Sequence, residues 1–176
     1  MPANPNWARW TFSSVAHHLK TVATQAGLAV LVDHLDDRTT AFQQATDRVE
    51  IRITGPFTKE CSANYYQILI DANVLILSRY DTPNKNGLDI LTYEGLFNEA
   101  MDSPIPVWNY GQELTDYNPD DPDSQIFLGC LLPKSGKDNS AVRVFNFGQA
   151  DKVEKIKCSV VDARYEMYID WNAVAR

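Results

Sequence analysis

The chain has 176 residues, a formal charge of −7, and 44% hydrophobic against 22% charged residues, which is the composition of a folded globular domain. The acidic balance argues against sequence-independent DNA binding, which needs a basic surface. No apolar run approaches the ~20 residues of a membrane span, and the N-terminal residues lack the basic and apolar parts of a secretory signal. The length predicts a single domain over residues 1–176, with no membrane contact.

A helix over Trp7 to Gly27 is the first predicted element, because apolar side chains recur there at steps of three and four. Asn6 suits the N-cap, and Gly27 suits the position after the last helical turn. A short strand, Leu28 to Val32, follows the helix. The polar stretch Asp33 to Thr46 predicts a loop that contains one helical turn near its end.

The next two segments have the pattern of β-strands. Apolar and polar residues alternate from Val49 to Thr54, which predicts a half-buried strand that ends at Gly55-Pro56. Tyr65 to Tyr80 would exceed ~45 Å as one strand, so a bulge or a projection beyond the sheet is expected. Its predicted apolar face comprises Tyr66, Ile68, Ile70, Ala72, Val74 and Ile76.

A second helix is predicted over Asp89 to Met101, followed by a short extended piece from Ile105 to Tyr110. Thr115 to Ser124 carries four aspartates and two prolines, which predicts an exposed loop that tolerates substitution.

Three further strands are predicted in the last third of the chain: Ile126 to Leu132, Ala141 to Phe147, and one inside Lys155 to Trp171. One face of the last strand is apolar and is predicted to pack against a helix; its residues are Val161, Ala163, Tyr165, Met167, Ile169 and Trp171. Strands cluster along the chain instead of alternating with helices. This order predicts an α+β fold, a mainly antiparallel sheet with two helices packed on one face.

Two segments resemble ligand-binding motifs only in part. Lys134 to Asp138 lacks the first glycine and the final serine or threonine of a phosphate-binding loop, so a hairpin turn is the better interpretation. Asp116 to Asp120 matches the first acidic positions of a calcium loop, but Asp121 replaces the required glycine and Phe127 the final glutamate. Weak adventitious cation binding and a solvated acidic loop both remain open for this segment.

The histidines and cysteines form no recognisable catalytic or metal-binding pattern. No serine or cysteine motif accompanies the three histidines, His17, His18 and His34. The cysteines are widely spaced and are predicted to be reduced, small apolar residues: Cys61, Cys130 and Cys158. We therefore expect no enzyme, no catalytic, cofactor-binding or metal-binding residues, and no cofactor.

Aromatic residues are the remaining candidates for a functional surface, because such side chains often anchor protein interfaces. Six lie in or near predicted turns and strand ends: Trp108, Tyr110, Tyr117, Phe145, Phe147 and Trp171. Each of them could equally fill the core, so a binding role and a structural role both remain open.

The order and pattern of these elements resemble the tail-terminator (tail-completion, neck) proteins of long-tailed bacteriophages. The resemblance spans nearly the whole chain and rests on pattern, since no diagnostic motif is present. It is carried by the helix Trp7 to Ala26, the segment Asp47 to Pro56 closed by Gly-Pro, the long strand Tyr65 to Tyr80 before the helix Asp89 to Met101, and the final segments Val144 to Gln149 and Ile156 to Trp171.

The resemblance implies a structural virion protein, present as a homo-oligomeric ring, usually hexameric, at the head–tail connection. Such a ring caps the tail tube and joins it to the head connector, so the partners would be other copies, the tail-tube protein and the head-connector protein. DNA would only pass through the lumen, with no specific nucleic-acid binding. The implied location is the neck of the virion tail, after assembly in the host cytoplasm. A phage tail-tube protein, a head-completion (adaptor or stopper) protein and a non-viral protein-binding module are the alternatives.

Overall fold

The computed structural model describes residues 6–33, 35–62, 65–80, 89–108, 127–135, 140–151 and 155–170. Within them the helices are α1 (Asn6–Gln25), α2 (Thr40–Gln44) and α3 (Asp89–Met101). The strands are β1 (Ala29–Val32), β2 (Asp47–Ser62), β3 (Tyr65–Arg79), β4 (Ile105–Trp108), β5 (Phe127–Pro133), β6 (Val142–Asp151) and β7 (Ile156–Asp170).

The predicted fold class, an α+β fold with a mainly antiparallel sheet and two helices on one face, is wrong. The described residues are mostly β, with 54% in strands against 30% in helices, and they form one curled sheet of mixed direction. β1 pairs with β2 in parallel, with Val30 beside Val49. Periodicity shows which residues of a strand share a face, but it does not show which strand will become the neighbour or in which direction.

The helical turn expected around Ala41 to Ala45 is present as α2, but it does not lie on the main core. Thr39 caps α2 by accepting a hydrogen bond from the Phe42 amide. Phe42 is buried, yet it lies outside the main core cluster, as does Leu31 of β1. The register places Leu31 beside Glu50, on the face of the sheet opposite Val49. The helices are therefore not confined to one face.

β7 connects the two parts of the sheet. The order of strands is β1-β2-β3-β7-β5-β4, and β6 also pairs with β7. One edge of β7 pairs with β3 along its whole length. The other edge is shared: β6 occupies Ile156 to Ala163, and β5 reaches only Tyr165 and Glu166. Two partners on one edge allow β5 and β4 to diverge from β6, and β4 contacts α1.

The main core lies between the sheet and the two long helices. Val15, Leu19 and Ala23 of α1 and Phe97 and Met101 of α3 are fully buried against it. The predicted apolar face of β7 is confirmed from Val161 to Ile169, and that of β3 is buried except for the half-buried Tyr66. α3 also has the predicted bounds, and the positive φ of Gly27 fits its predicted place after α1.

The prediction that the strand starting near Val49 ends at Gly55-Pro56 is wrong. β2 continues to Ser62, because β3 pairs with it on both sides of an irregularity between Thr54 and Phe57. Gly55 has a φ of +106° there, a conformation that side chains with a Cβ rarely adopt. The expected bulge thus lies in β2, whereas β3 pairs with β7 without a shift in register.

Several predictions concern residues outside the described ranges. The acidic loop Thr115 to Ser124, with its predicted tolerance to substitution, is one of them. The others are the turn within Lys134 to Asp138 and the residues His34, Tyr110, Tyr117 and Trp171. Among the described residues, no helix is both long and apolar enough to cross a membrane.

Tyr165 provides a test of the core face of β7. Its side chain is fully buried, and its hydroxyl donates to the Met101 carbonyl oxygen at 2.9 Å. Burial, and to a lesser extent the nearby Asp102 charge, raises the pKa of Tyr165, so the hydroxyl stays neutral and keeps its proton. We expect Tyr165→Ala to lower the free energy of unfolding by about 3 kcal/mol, measured by chemical denaturation.

Tyr168→Ala is the matched control, since Tyr168 lies on the same strand but on the opposite, exposed face. Its loss should stay below about 1 kcal/mol. Equal losses for the two variants would contradict the register assigned to β7.

Candidate functional site

A cleft runs along α1 where this helix faces α3 and β4. Two cavities of about 280 and 440 Å³ open on it, and His18, Val22 and Gln25 line both of them. Trp108 borders the first cavity and Glu99 the second. Cavities of this size can hold a small ligand or a partner's side chain.

The cleft brings His17 and His18 to one surface. His18 Nε2 lies 3.1 Å from the Ala100 carbonyl oxygen and donates to it, which leaves Nδ1 as the other ring nitrogen. His17 is exposed at the rim, but the surrounding cavity wall still removes part of its hydration. This partial burial, and secondarily the charge of His18, lowers the pKa of His17. Side chains at successive helical positions point about 100° apart, so the two rings cannot both face one ligand.

In the part of the chain that the structure describes, no group of three or more His, Cys, Asp or Glu side chains could hold a metal ion. Glu99 and His18 line one cavity, but they are not hydrogen-bonded to each other. The cleft therefore offers volume and a few polar groups, without a constellation that specifies a reaction.

Glu50 is a buried carboxylate on the second face of the sheet, opposite the main core. Its Oε1 accepts hydrogen bonds from Arg38 Nη2 and Arg52 Nη2, both at 2.7 Å. A buried charge is costly unless it is paired and hydrogen-bonded. The two guanidinium groups meet this requirement, and Arg38 thereby attaches the segment before α2 to β2.

Exposed ion pairs continue across the same face. Arg164 forms a bidentate pair with Asp71, at 2.6 and 2.9 Å, between β7 and β3. Arg143 of β6 lies 3.2 Å from Asp162 of β7. In each of these pairs the opposite charges offset one another, although the whole chain is acidic.

Exposed apolar side chains are concentrated on the strands. Within the described residues β6 pairs only with β7, and the exposed Val144, Phe145 and Phe147 fall within four positions of it. The remaining exposed large apolar residues are Leu35, Phe57, Tyr65, Leu91, Phe127, Leu132 and Tyr168.

The six aromatic residues proposed as interface anchors differ in their exposure. Phe145 and Phe147 are exposed, as an interface role requires. Trp108 is half-buried and packs edge-on against Phe127, with ring centroids 5.4 Å apart, so it stabilises the β4–β5 pair. The other three candidates lie outside the described residues.

The cysteines are free thiols in three separate places. Cys61 is exposed near the end of β2, so the prediction that it behaves as a small apolar residue is wrong there. Cys130 and Cys158 are half-buried, and burial raises the pKa of Cys158, which favours the unreactive thiol.

Sequence reasoning missed the buried Glu50. Alternation in β2 assigned this residue to a solvent-facing side, and nothing in the strand itself signalled that Arg38, from the segment before α2, would pair with it. Arg52, two residues later on the same face, was the available hint, because opposite charges at this spacing can pair.

No protein-family model matches the chain, and a search of characterised proteins finds no significant relative. The function must therefore be argued from the residues and from the resemblance in pattern.

The lowered pKa of His17 predicts that the stability of the fold depends on pH. We expect NMR titration to give His17 a pKa below its ordinary value of 6.5. Between that lowered pKa and 6.5, the unfolded chain binds more protons at His17 than the folded chain, so stability rises with pH across this window. Neutral His17 therefore gives its full contribution to the stability of the fold above pH 6.5, and this contribution is lost as the pH falls through the pKa of His17 in the folded chain.

His18→Gln should raise the pKa of His17 by removing the neighbouring charge, yet leave it below 6.5 because the burial remains. The same titration measures both proteins. An unchanged His17 pKa in the variant would show that the two rings are not electrostatically coupled.

The Glu50 cluster predicts non-additive losses of stability. Either Arg38→Met or Arg52→Met leaves one guanidinium on the carboxylate, whereas the double variant leaves a buried charge alone. We expect the double variant to lose about 3 kcal/mol of unfolding free energy, more than the sum of the single losses. Arg164→Met, which breaks the exposed pair with Asp71, is the control and should lose less than about 1 kcal/mol by the same denaturation assay.

Proposed function

We propose that this protein works by binding other protein subunits, as a structural component of a phage neck. In this proposal it forms a ring that caps the tail tube and joins it to the head connector. The observation that best supports a binding role is the run of exposed apolar side chains on β6, next to a strand edge that has no partner within the described residues. Open strand edges and exposed aromatic residues are recurrent protein-binding features.

The phage setting is supported by the resemblance, which extends over nearly the whole chain. A cap of this kind stops growth if one surface copies the contact that a tube subunit makes and the opposite surface does not. Head-to-tail contacts otherwise continue without limit. The charge of −7 is compatible with a ring around DNA, because acidic groups near a lumen repel phosphates and let the genome slide.

Deletion of the gene from the phage that encodes it tests this proposal. If growth is no longer capped, tails should be overlong and of mixed length, and they should fail to join heads that are otherwise assembled and filled. Electron microscopy of the lysate measures tail length and attachment directly. Supplying the wild-type gene in trans is the control and should restore uniform, attached tails.

Other outcomes point to the alternatives. Unattached tails of normal length would favour a head-completion protein, and the absence of any tube would favour a tail-tube protein. Normal tails already attached to heads would contradict a neck role and leave a protein-binding module of another kind.

A further inference from the structure

β6 has an outer edge that is unpaired within the described residues, and its exposed side chains lie on both faces of the sheet. Val144 pairs with Val161 and therefore lies on the helix-covered face. Phe145 pairs with Val160 and lies on the opposite face. Their exposed fractions are 41% and 45%, and Phe147, just beyond them, is 64% exposed. A strand added to this edge would gain backbone hydrogen bonds and cover apolar groups on both sides.

The other long free edge, that of β2, carries more charged residues along its unpaired part. No described strand pairs with its outer side beyond Ile51, but its register shifts twice, between Thr54 and Phe57 and between Glu60 and Ser62. Lys59 and Glu60 lie between these irregularities. Bulges and charged residues are the usual means by which proteins prevent pairing at an edge.

β6 is irregular further along, since its register against β7 shifts between Asn146 and Gly148 and between Gln149 and Asp151, but the segment before these shifts is uninterrupted. From Val142 to Asn146 its register against β7 is regular, and it contains no proline. Its one charged residue, Arg143, is neutralised by Asp162 of β7 at 3.2 Å. The edge therefore has no net charge of its own, in contrast to the acidic chain as a whole.

The segment is complementary to itself. A two-fold axis perpendicular to the sheet at Val144 places two β6 strands antiparallel and keeps the two faces of the sheet matched. Val144 then lies opposite Val144 of the second copy, and Arg143 lies opposite Phe145. No like charges meet, and the arginine–aromatic pair is favourable.

We propose that the outer edge of β6 binds the same edge of a second copy, so that two sheets join into one. The proposal concerns a two-fold contact that closes on two copies, so it is separate from the head-to-tail contacts of a ring and does not depend on a phage origin. Val144, Phe145 and Phe147 expose roughly 300 Å² of side-chain surface per copy, well below the ~800 Å² per partner of a stable complex. The dimer is therefore weak, and salt strengthens it by screening the repulsion between two acidic chains.

Sedimentation equilibrium over a range of protein and salt concentrations tests this contact. We expect dimers at high protein concentration, in greater amount at higher salt. Phe145→Lys should weaken dimerisation roughly tenfold or more. Phe57→Lys is the matched control, because Phe57 is an exposed phenylalanine on the same face at the opposite edge, and it should leave dimerisation unchanged.

Cross-linking locates the contact even if Phe145→Lys fails to fold. In a chain with the three natural cysteines changed to serine, Val144→Cys places two thiols directly opposite, within the range that permits a disulfide. Mild oxidation at dimer-forming concentration should link this variant and not its control, Phe57→Cys. A chain that stays monomeric at every concentration, equal effects of the two lysine substitutions, or cross-linking at position 57 alone would overturn the proposal. A ring seen without the position 144 cross-link would also overturn it, while leaving the neck proposal intact.

Discussion

The antiparallel pairing of β3 with β7 joins fifteen residues of each strand, from Tyr65 beside Asp170 to Arg79 beside Ile156. α3 packs on this pair, β2 extends it on one side, and β5 and β6 share its other side. These contacts connect residues far apart in the chain, so the pair joins the middle of the sequence to its last strand. The paired faces also supply ten of the 27 residues of the main core, including branched side chains such as Ile70 and Val161.

The two faces of this sheet are stabilised by different interactions. The helix-covered face is almost entirely apolar, and its stability comes from the area removed from water. The second face carries paired charges: the buried Glu50 with Arg52 of the same strand, and the exposed Arg164 with Asp71 of the neighbouring strand. Burial decides how much each pair matters, because water and salt screen an exposed pair but not a covered one. On this face, therefore, the buried charges near β1 and α2 matter most for the stability of the fold.

The capacity for binding lies at the edges of the sheet. A mixed sheet that does not close on itself leaves outer strands, and each must be covered, protected or paired. Here the unpaired part of β2 carries register shifts and charged residues, whereas β6 has a regular segment, Val142 to Asn146, before its own two shifts. Both proposals rest on the β6 edge. The first is that the protein binds other subunits, and the second is that this edge joins the same edge of a second copy. The cleft along α1 has the volume for a ligand, but its histidines point in different directions and specify no chemistry.

The sequence by itself determined the local elements and their apolar faces. The helix Asp89–Met101, the faces of β3 and β7, and the glycine that follows α1 could be read directly, because periodicity and end signals are properties of adjacent residues. The exposure of Phe145 and Phe147 was anticipated only as one of two possibilities, because aromatic residues suit a core and an interface equally well.

Only the tertiary structure decided the fold class. The parallel pairing of β1, the extension of β2 beyond Gly55-Pro56 and the division of one edge of β7 between two strands all depend on which segments become neighbours. The burial of Glu50 has the same origin, since Arg38 and the residues that cover it come from separate segments. Backbone hydrogen bonds can join any two extended strands, so the choice of partner is made by the packing of the whole molecule and is not encoded in the pattern of one strand.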